Sequence, residues 1–408
     1  MLLSRFLRNR DAGVAPLLAL AALPLFGFAG AAIDFSRASS VRSSMQAALD
    51  ASALIMAKSA KNADANQLNA DATQYFNANF KNPELQNLNT TAATSSTSSG
   101  YSAKLSASGS IKSKFMGMLG FANLNIAVHS TASSYADGLG CVLSLNAHAS
   151  GAVTGQGSTN VVLNGCSMYD NSDHATAMVA GGTAHMSAVS VGVVGNLTGT
   201  ENITTTAGIR TGVAPIVDPY ANQSYPSFGG CTTNNFTGKD TVTLNPGVYC
   251  GGMKINAGAV VTLNPGIYYL DGGDLTVNGG GTLQGTGVTL VFTSQNRNGF
   301  ATASINGNAI VNLTPPTTGS TAGIVVFGDR RIPVGTDFKF NGGANQYLAG
   351  AIYVPTGSVS FAGGMGTSTS CTQLIGNTIT FTGNSSFALN CNAYGTKPFS
   401  PLVVKLTS

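Results

Sequence analysis

Residues 12–33, AGVAPLLALAALPLFGFAGAAI, carry no charge, and no other stretch limits the fold of this chain as strongly. About 20 consecutive apolar residues suffice to cross a bilayer core as a helix. In lipid only a helix or a closed barrel satisfies its own backbone, so one isolated run of this kind must be helical. Arg5, Arg8 and Arg10 precede the run and Asp34 follows it at once. Positive charge ahead of a span favours a cytoplasmic N-terminus, which places everything from Asp34 onward outside the inner membrane. A cleaved signal peptide is the competing reading, because Ala29-Gly30-Ala31 fits a small-residue cleavage site. The run is longer than a usual signal core, however, and a helical pattern continues straight through that site. The expectation is a retained anchor.

Charge is sparse elsewhere. Only 9% of the 408 residues are charged, where a cytosolic globular enzyme carries about a quarter. The net charge of +4 arises at the start: residues 1–62 hold seven Lys/Arg against three Asp, and the remainder balances thirteen against thirteen. That distribution suits membrane orientation. A nucleic-acid partner would need a basic patch on the folded body, and none is expected.

The length allows two or three folding units. Val41, Met45, Leu49, Ala53, Met56 and Ala60 recur at spacings of four and three, which is a helical stripe. Leu68, Ala72, Tyr75, Phe76 and Phe80 predict a second amphipathic helix ending before Pro83. Residues 90–100, TTAATSSTSSG, read as either a linker or an exposed strand. Tyr101, Ala103, Leu105 and Ala107 alternate, as do Leu124, Ile126 and Val128, and period two predicts strands. Between them the apolar run from Phe115 to Gly120 reads as a helical turn. Three segments are expected: 1–60 as anchor and helix, 61–136 as a helix with a small β region, and 137–408 as a β-rich exported body.

That body contains an internal repeat. Residues 242–249, VTLNPGVY, recur as VTLNPGIY at 261–268, an offset of 19. Asn-Pro-Gly is a turn signal between short strands. Further short apolar runs follow at 274–278, 288–292, 310–313, 324–327, 351–355, 359–361 and 378–381, without a helical pattern between them. Such spacing suits a solenoid whose repeats each add one layer of core. The six cysteines give an independent reason. Sequential pairing of Cys141 with Cys166, Cys231 with Cys250 and Cys371 with Cys391 gives separations of 25, 19 and 20, close to the repeat itself. Residues one repeat apart stack at a distance a disulfide can bridge. An even count in an oxidising compartment reads as disulfides, although six cysteines permit fifteen connectivities. A β-sandwich is the runner-up, but it gives no reason for that cysteine spacing.

Reactive groups are thin in the body. Asp271 and Asp274 flank Gly272-Gly273 and read as a polar turn before they read as a calcium loop. Asp170-Asn171-Ser172-Asp173-His174 lacks a matching distant ligand for a metal. His129, His148 and His185 are scattered, and no Gly-x-Ser-x-Gly nucleophile setting occurs. Arg330-Arg331 reads as a solvated loop. Polysaccharide-cleaving β-helices need clustered carboxylates, and residues 140–408 hold nine Asp/Glu spread widely. Neither an enzyme nor a cofactor is expected; structural or adhesive use is favoured. A carbohydrate-binding or carbohydrate-cleaving β-helix is the alternative.

The N-terminal residues resemble the TadE/TadG-like proteins of the tight-adherence (Flp) pilus assembly system. The resemblance rests on Arg8-Asn9-Arg10-Asp11-Ala12-Gly13-Val14-Ala15-Pro16, the apolar span, Ala31-Ala32-Ile33-Asp34-Phe35-Ser36-Arg37-Ala38, and the run from Met45 to Leu54. It implies an inner-membrane component whose periplasmic part serves a pilus or secretion machine. Two departures limit it. The metal-binding Asp-x-Ser-x-Ser motif of relatives with a von Willebrand A-type domain is missing, so metal-dependent adhesion is not implied. Prepilin-like relatives place Glu five residues after a processed Gly, whereas Leu18 stands at that distance from Gly13.

The fold expected is mainly β with N-terminal α: a single transmembrane helix and helical stalk, then a periplasmic right-handed parallel β-helix-like domain. The partners expected are the inner membrane and other pilus-assembly proteins, and a homo-oligomer is compatible with this reading. Non-reducing peptide mapping is expected to recover the linkages 141–166, 231–250 and 371–391; scrambled pairs or free thiols would remove the stacking argument.

Overall fold

The computed structural model describes residues 14–59, 65–97, 100–136, 138–343, 345–363, 371–388, 391 and 393–407. Arg5, Arg8, Arg10 and Ala60, named above, lie outside these residues. The chain forms two units, Met1–Ala136 with Leu402–Ser408 and Asp137–Pro401. The second unit ends at Pro401. Helix, small β region and C-terminus share one unit, because the last strand returns to the N-terminal sheet.

In the first unit, helix α1 spans Val14–Ser59 without a break. Its two halves meet different surroundings. Leu17, Leu20, Phe26 and Phe28 are 72, 78, 77 and 75% exposed, whereas Met45, Leu49 and Ala53 have no exposed surface. Helix α2, Ala65–Asn79, adds Leu68, Ala72 and Phe76 to the buried side. Strands β1 (Leu85–Thr97), β2 (Gly100–Lys112) and β3 (Asn123–Ala136) form an antiparallel meander. The Ser/Thr stretch at 90–97 is thus an edge strand and no linker. Alternation places Ala103, Leu105, Ala107, Ile126 and Val128 on the face that packs against α1. The C-terminal strand Leu402–Leu406 pairs antiparallel with β3, Leu402 facing Ala136. The whole second unit is therefore an insertion between two neighbouring strands.

In the second unit every ladder among the described residues is parallel. Val142 pairs with Met168, Met168 with Val191 and Val191 with Ile209. Val242, Thr243 and Leu244 pair with Val261, Thr262 and Leu263 at the repeat offset. Past the Asn-Pro-Gly turn the register drifts: Val248 faces Tyr269 and Met253 faces Leu275, because the turns between strands take up additional residues. Tyr249 and Tyr268, equivalent in the repeat, remain neighbours with ring centroids 5.7 Å apart. Inward positions are filled by Val, Leu, Ile and Phe in one continuous core, including Phe292, Phe338, Phe361, Phe381 and Phe387. Outward positions such as Thr243, Gln284 and Asn312 are polar and exposed.

Chain order and spatial order differ. The last long strand, Thr372–Ala388, pairs with the first strands of the unit: Leu374 with Val142, Ile379 with Val153 and Phe387 with Leu163. The two runs of repeats, 140–211 and 233–388, are joined there. Residues 212–232 connect them as an extended strap. Ile216 and Tyr220 from the strap pack in one apolar cluster with Tyr169, Tyr353 and Ile375, with Phe228 against its margin.

Asp170, in strand Ser167–Asp170, is 1% exposed and accepts the Ser172 N–H at 3.0 Å. Burial pushes its carboxyl up to about 6, against the hydrogen bonds from Ser172, Val153 and Ser144. The folded state then holds the proton more tightly than the unfolded chain, whose value is near 3.8. This group's contribution is greatest below pH 4 and is lost as pH rises through about 6. Asp170→Asn is expected to flatten that slope and to raise neutral-pH stability by about 3 kcal/mol, at about 1.4 kcal/mol per pKa unit. Urea melts of both chains between pH 4 and 7 check this.

Candidate functional site

The candidate site is the junction where the exposed half of α1 gives way to its packed half. Asp34 sits at this point, directly after the apolar run, and its side chain has no exposed surface. Its carboxylate accepts three backbone N–H groups from the loop between β2 and β3: Lys114 at 2.9 Å, Phe115 at 2.8 Å and Met116 at 2.8 Å. Met116–Leu119 form a single 3-10 turn, the helical turn expected from sequence. The first N–H groups of any helical turn lack internal partners, and here a carboxylate from a distant helix supplies them. Arg37, one turn further along α1, donates to Asp34 at 3.3 Å and to Glu84 at 2.7 Å. Burial works to raise the Asp34 carboxyl, but the N–H groups of Met116, Lys114 and Phe115, with Arg37, outweigh it and hold it at about 2.

Gly30 completes the junction. A Cβ built on it would lie 2.6 Å from the Cβ of Phe115, so the missing side chain is what admits the Phe115 ring against the helix. Sequence reading saw Gly30 only as part of a small-residue motif and Asp34 only as the end of the span. The signal that ties them to the loop is the apolar, Gly-punctuated sequence of residues 115–120, which alternation cannot place.

The polar groups singled out in the body have structural partners. Asp271 accepts the Gln295 N–H at 2.6 Å, and Asp274 accepts the Thr302 N–H at 2.7 Å and its hydroxyl at 2.8 Å. Each carboxylate thus ties a turn to the next repeat. In the run 170–174 the side chains diverge. Asn171 brackets Ile216 of the strap, Ser172 donates to the Ala149 carbonyl at 2.7 Å, and Asp173 meets His148 at 3.0 Å. His129 lies beside Ser106, and His185 is exposed. Among the described residues no group of three or more His, Cys, Asp or Glu is placed to hold a metal. The cysteines pair as Cys141–Cys166, Cys231–Cys250 and Cys371–Cys391, with Cα atoms 5.7, 5.6 and 4.8 Å apart.

Arg330 and Arg331 lie in an exposed turn, as expected of a solvated loop, and the strap also reaches them. Arg330 donates to the Gln223 carbonyl at 2.8 Å and to the Tyr220 carbonyl, and lies over the Tyr353 ring. Arg331 grips Asp329, which also accepts from Tyr225 at 2.7 Å. Tyr353 donates to Asp218 of the strap at 2.7 Å, and Tyr220 to Gln373 at 2.9 Å. Sequence spacing holds no sign of the contacts with the strap, whose partners are more than a hundred residues apart.

Asp34→Ala is expected to free the N–H groups of Lys114, Phe115 and Met116. Hydrogen exchange at these three amides should accelerate strongly, while exchange in the β2–β3 ladder around Leu105 and Ser130 stays slow. Asp34→Asn, which keeps one acceptor oxygen, is expected to lie between the two.

The geometry of α1 coincides with the one comparison that succeeds. Residues 13–58 match the family model described as "Putative Flp pilus-assembly TadE/G-like". No curated protein and no solved structure matches the chain. The matched segment runs from the exposed apolar turns of α1 through the Asp34 junction to the end of its packed half, and over that segment the chain is similar to TadE/G-like proteins.

Proposed function

We propose that this chain is a structural or assembly component of an Flp-type pilus. On this reading it is held in the inner membrane by residues 12–33 with its N-terminus in the cytoplasm, and it presents a periplasmic, right-handed parallel β-helix. The observation that carries the reading is the division of α1. One continuous helix has an apolar half with no cover inside the protein and a half sealed into a small domain. Exposed Leu17, Leu20, Phe26 and Phe28 form a surface far too apolar for water, and a bilayer is the medium that suits it. This helix is long and apolar enough to cross a membrane. Pro24 within it is tolerated in spans, where neighbouring groups and local adjustment take up the freed carbonyl. The three arginines ahead of the run support the orientation.

A structural role for the body is supported by how its polar groups are used. Asp271 and Asp274 are committed to the turns of the next repeat, and Arg331 and Asp329 to each other. The all-parallel ladders between strands one repeat apart support the β-helix reading. The partners proposed are other proteins of the pilus-assembly system.

Because Ala136 and Leu402 are ladder neighbours, the body can be removed without cutting the N-terminal sheet. A chain with residues 137–401 replaced by a short Asn-Gly hairpin turn is expected to fractionate with membranes and to retain its N-terminal residues by mass. Pili are expected to fail to assemble in cells carrying it in place of the full chain. The double variant Asp271→Asn/Asp274→Asn is expected to assemble pili normally. A soluble full chain beginning at Ala32 would overturn the anchor. Normal pili without the body would overturn its role.

A further inference from the structure

The loop 113–121, which the proposed function does not use, exposes a cluster of large apolar side chains. Phe115, Met118 and Phe121 are 43, 87 and 59% exposed. Scattered single hydrophobes on a surface are ordinary, but three within seven residues mark a surface that something covers. Its position says what. Phe115 rests on Gly30, four residues before Asp34, which is about 6 Å along the helix axis at 1.5 Å per residue. The loop is therefore beside the last turn of the apolar run. When residues 12–33 fill the hydrocarbon, Phe115 stands at the depth of that turn.

The backbone of the loop is prepared for such a place. Water-free surroundings penalise every unpaired N–H by several kcal/mol. Asp34 takes those of Lys114, Phe115 and Met116. Met118 donates to the Phe115 carbonyl, Gly120 to Gly117 and Phe121 to Met116, at 3.1, 3.2 and 3.0 Å. Lys112 and Lys114, both exposed, flank the apolar cluster and match the level of anionic headgroups.

We propose that loop 113–121 is a second membrane contact, dipping Phe115, Met118 and Phe121 into the outward-facing leaflet beside the span. The proposal rests on the reading of residues 12–33 as a bilayer span. Asp34 then acts as a collar: it locks the loop to the helix at one depth, so the domain is fixed in height and rotation at the lipid surface. A lone helix through the bilayer leaves both free.

The chain contains no tryptophan, so one substitution creates a unique reporter. Met118→Trp and, in a separate chain, Leu20→Trp are placed in the full-length protein, and each is reconstituted into vesicles of phosphatidylcholine and phosphatidylglycerol. Both side chains are exposed on the protein, so neither change disturbs packing. Expected for both are a blue-shifted emission, quenching by acyl-chain-brominated lipid to a comparable extent, and protection from aqueous acrylamide. If Met118→Trp responds to acrylamide and not to brominated lipid while Leu20→Trp still responds to lipid, this proposal fails and the span stands. If Met118→Trp is shielded from both quenchers, a protein covers the loop and the proposal fails likewise. If Leu20→Trp is not quenched by lipid, the span reading falls and the proposal with it.

Discussion

The body depends on one pairing, that of strand Thr372–Ala388 with the strands that open the unit at residues 140–164. It joins two runs of parallel repeats that would otherwise each leave a broad apolar edge in water. Leu374, Ile379, Phe381 and Phe387 are buried in the same core as Val142, Val153 and Leu163. Closing a loop of more than two hundred residues is unfavourable only by a term that grows slowly with length. The apolar area sealed at the junction easily outweighs it. The strap across residues 212–232 reinforces the same place: Asn171 holds Ile216 on one side of the junction, and Gln373, Tyr353 and Arg330 hold Tyr220, Asp218 and Gln223 on the other. Contacts so remote in sequence form late and slowly in folding. The disulfides join cysteines 25, 19 and 20 residues apart, so they secure local pairs and leave the junction to packing.

The first unit solves a different problem. Its long helix has two different surfaces, one exposed and apolar and one packed, and the change between them falls at Asp34. On the N-terminal side apolar residues such as Leu20 and Phe26 are exposed; on the C-terminal side Met45, Leu49 and Ala53 are sealed by the sheet and α2. A carboxylate at the crossover binds a loop from the sheet to the helix, so the transition is a fixed structural point. The TadE/G-like match covers both halves of the helix and the carboxylate between them. Sheet and body lie beyond it.

Several polar groups of the body hold its architecture. Carboxylates in Gly-rich turns hold the N–H groups of the next repeat, and arginines beside the strap hold its carbonyls and the faces of its neighbouring aromatic rings. Where a charged pair is half-buried, as in Asp329 with Arg331, Tyr225 and Thr293, several hydrogen bonds share it. An isolated buried charge is costly, and a satisfied network specifies one arrangement. Asp170 is the exception, a buried carboxyl kept mainly by the strand it sits in.

The sequence by itself determined the features that depend on near neighbours. Periodicity in residues 41–60 marked the packed face of α1, buried from Val41 to Met56, an uncharged run marked its exposed half, and the 19-residue repeat set the parallel register of Val242–Leu244 on Val261–Leu263. Cysteine spacing matched the pairs that structure forms, because residues one repeat apart stack. Only the tertiary structure decided the rest. It placed Leu374 beside Val142 in place of a sequential stack, returned Leu402–Leu406 to the first sheet, gave the exposed Arg330 the carbonyls of the strap as partners, and set Phe115 on Gly30 under Asp34. The physical reason is common to all four. Apolar burial is non-directional and blind to chain distance. A local pattern therefore says that a face will be covered, and only the assembled core says by what.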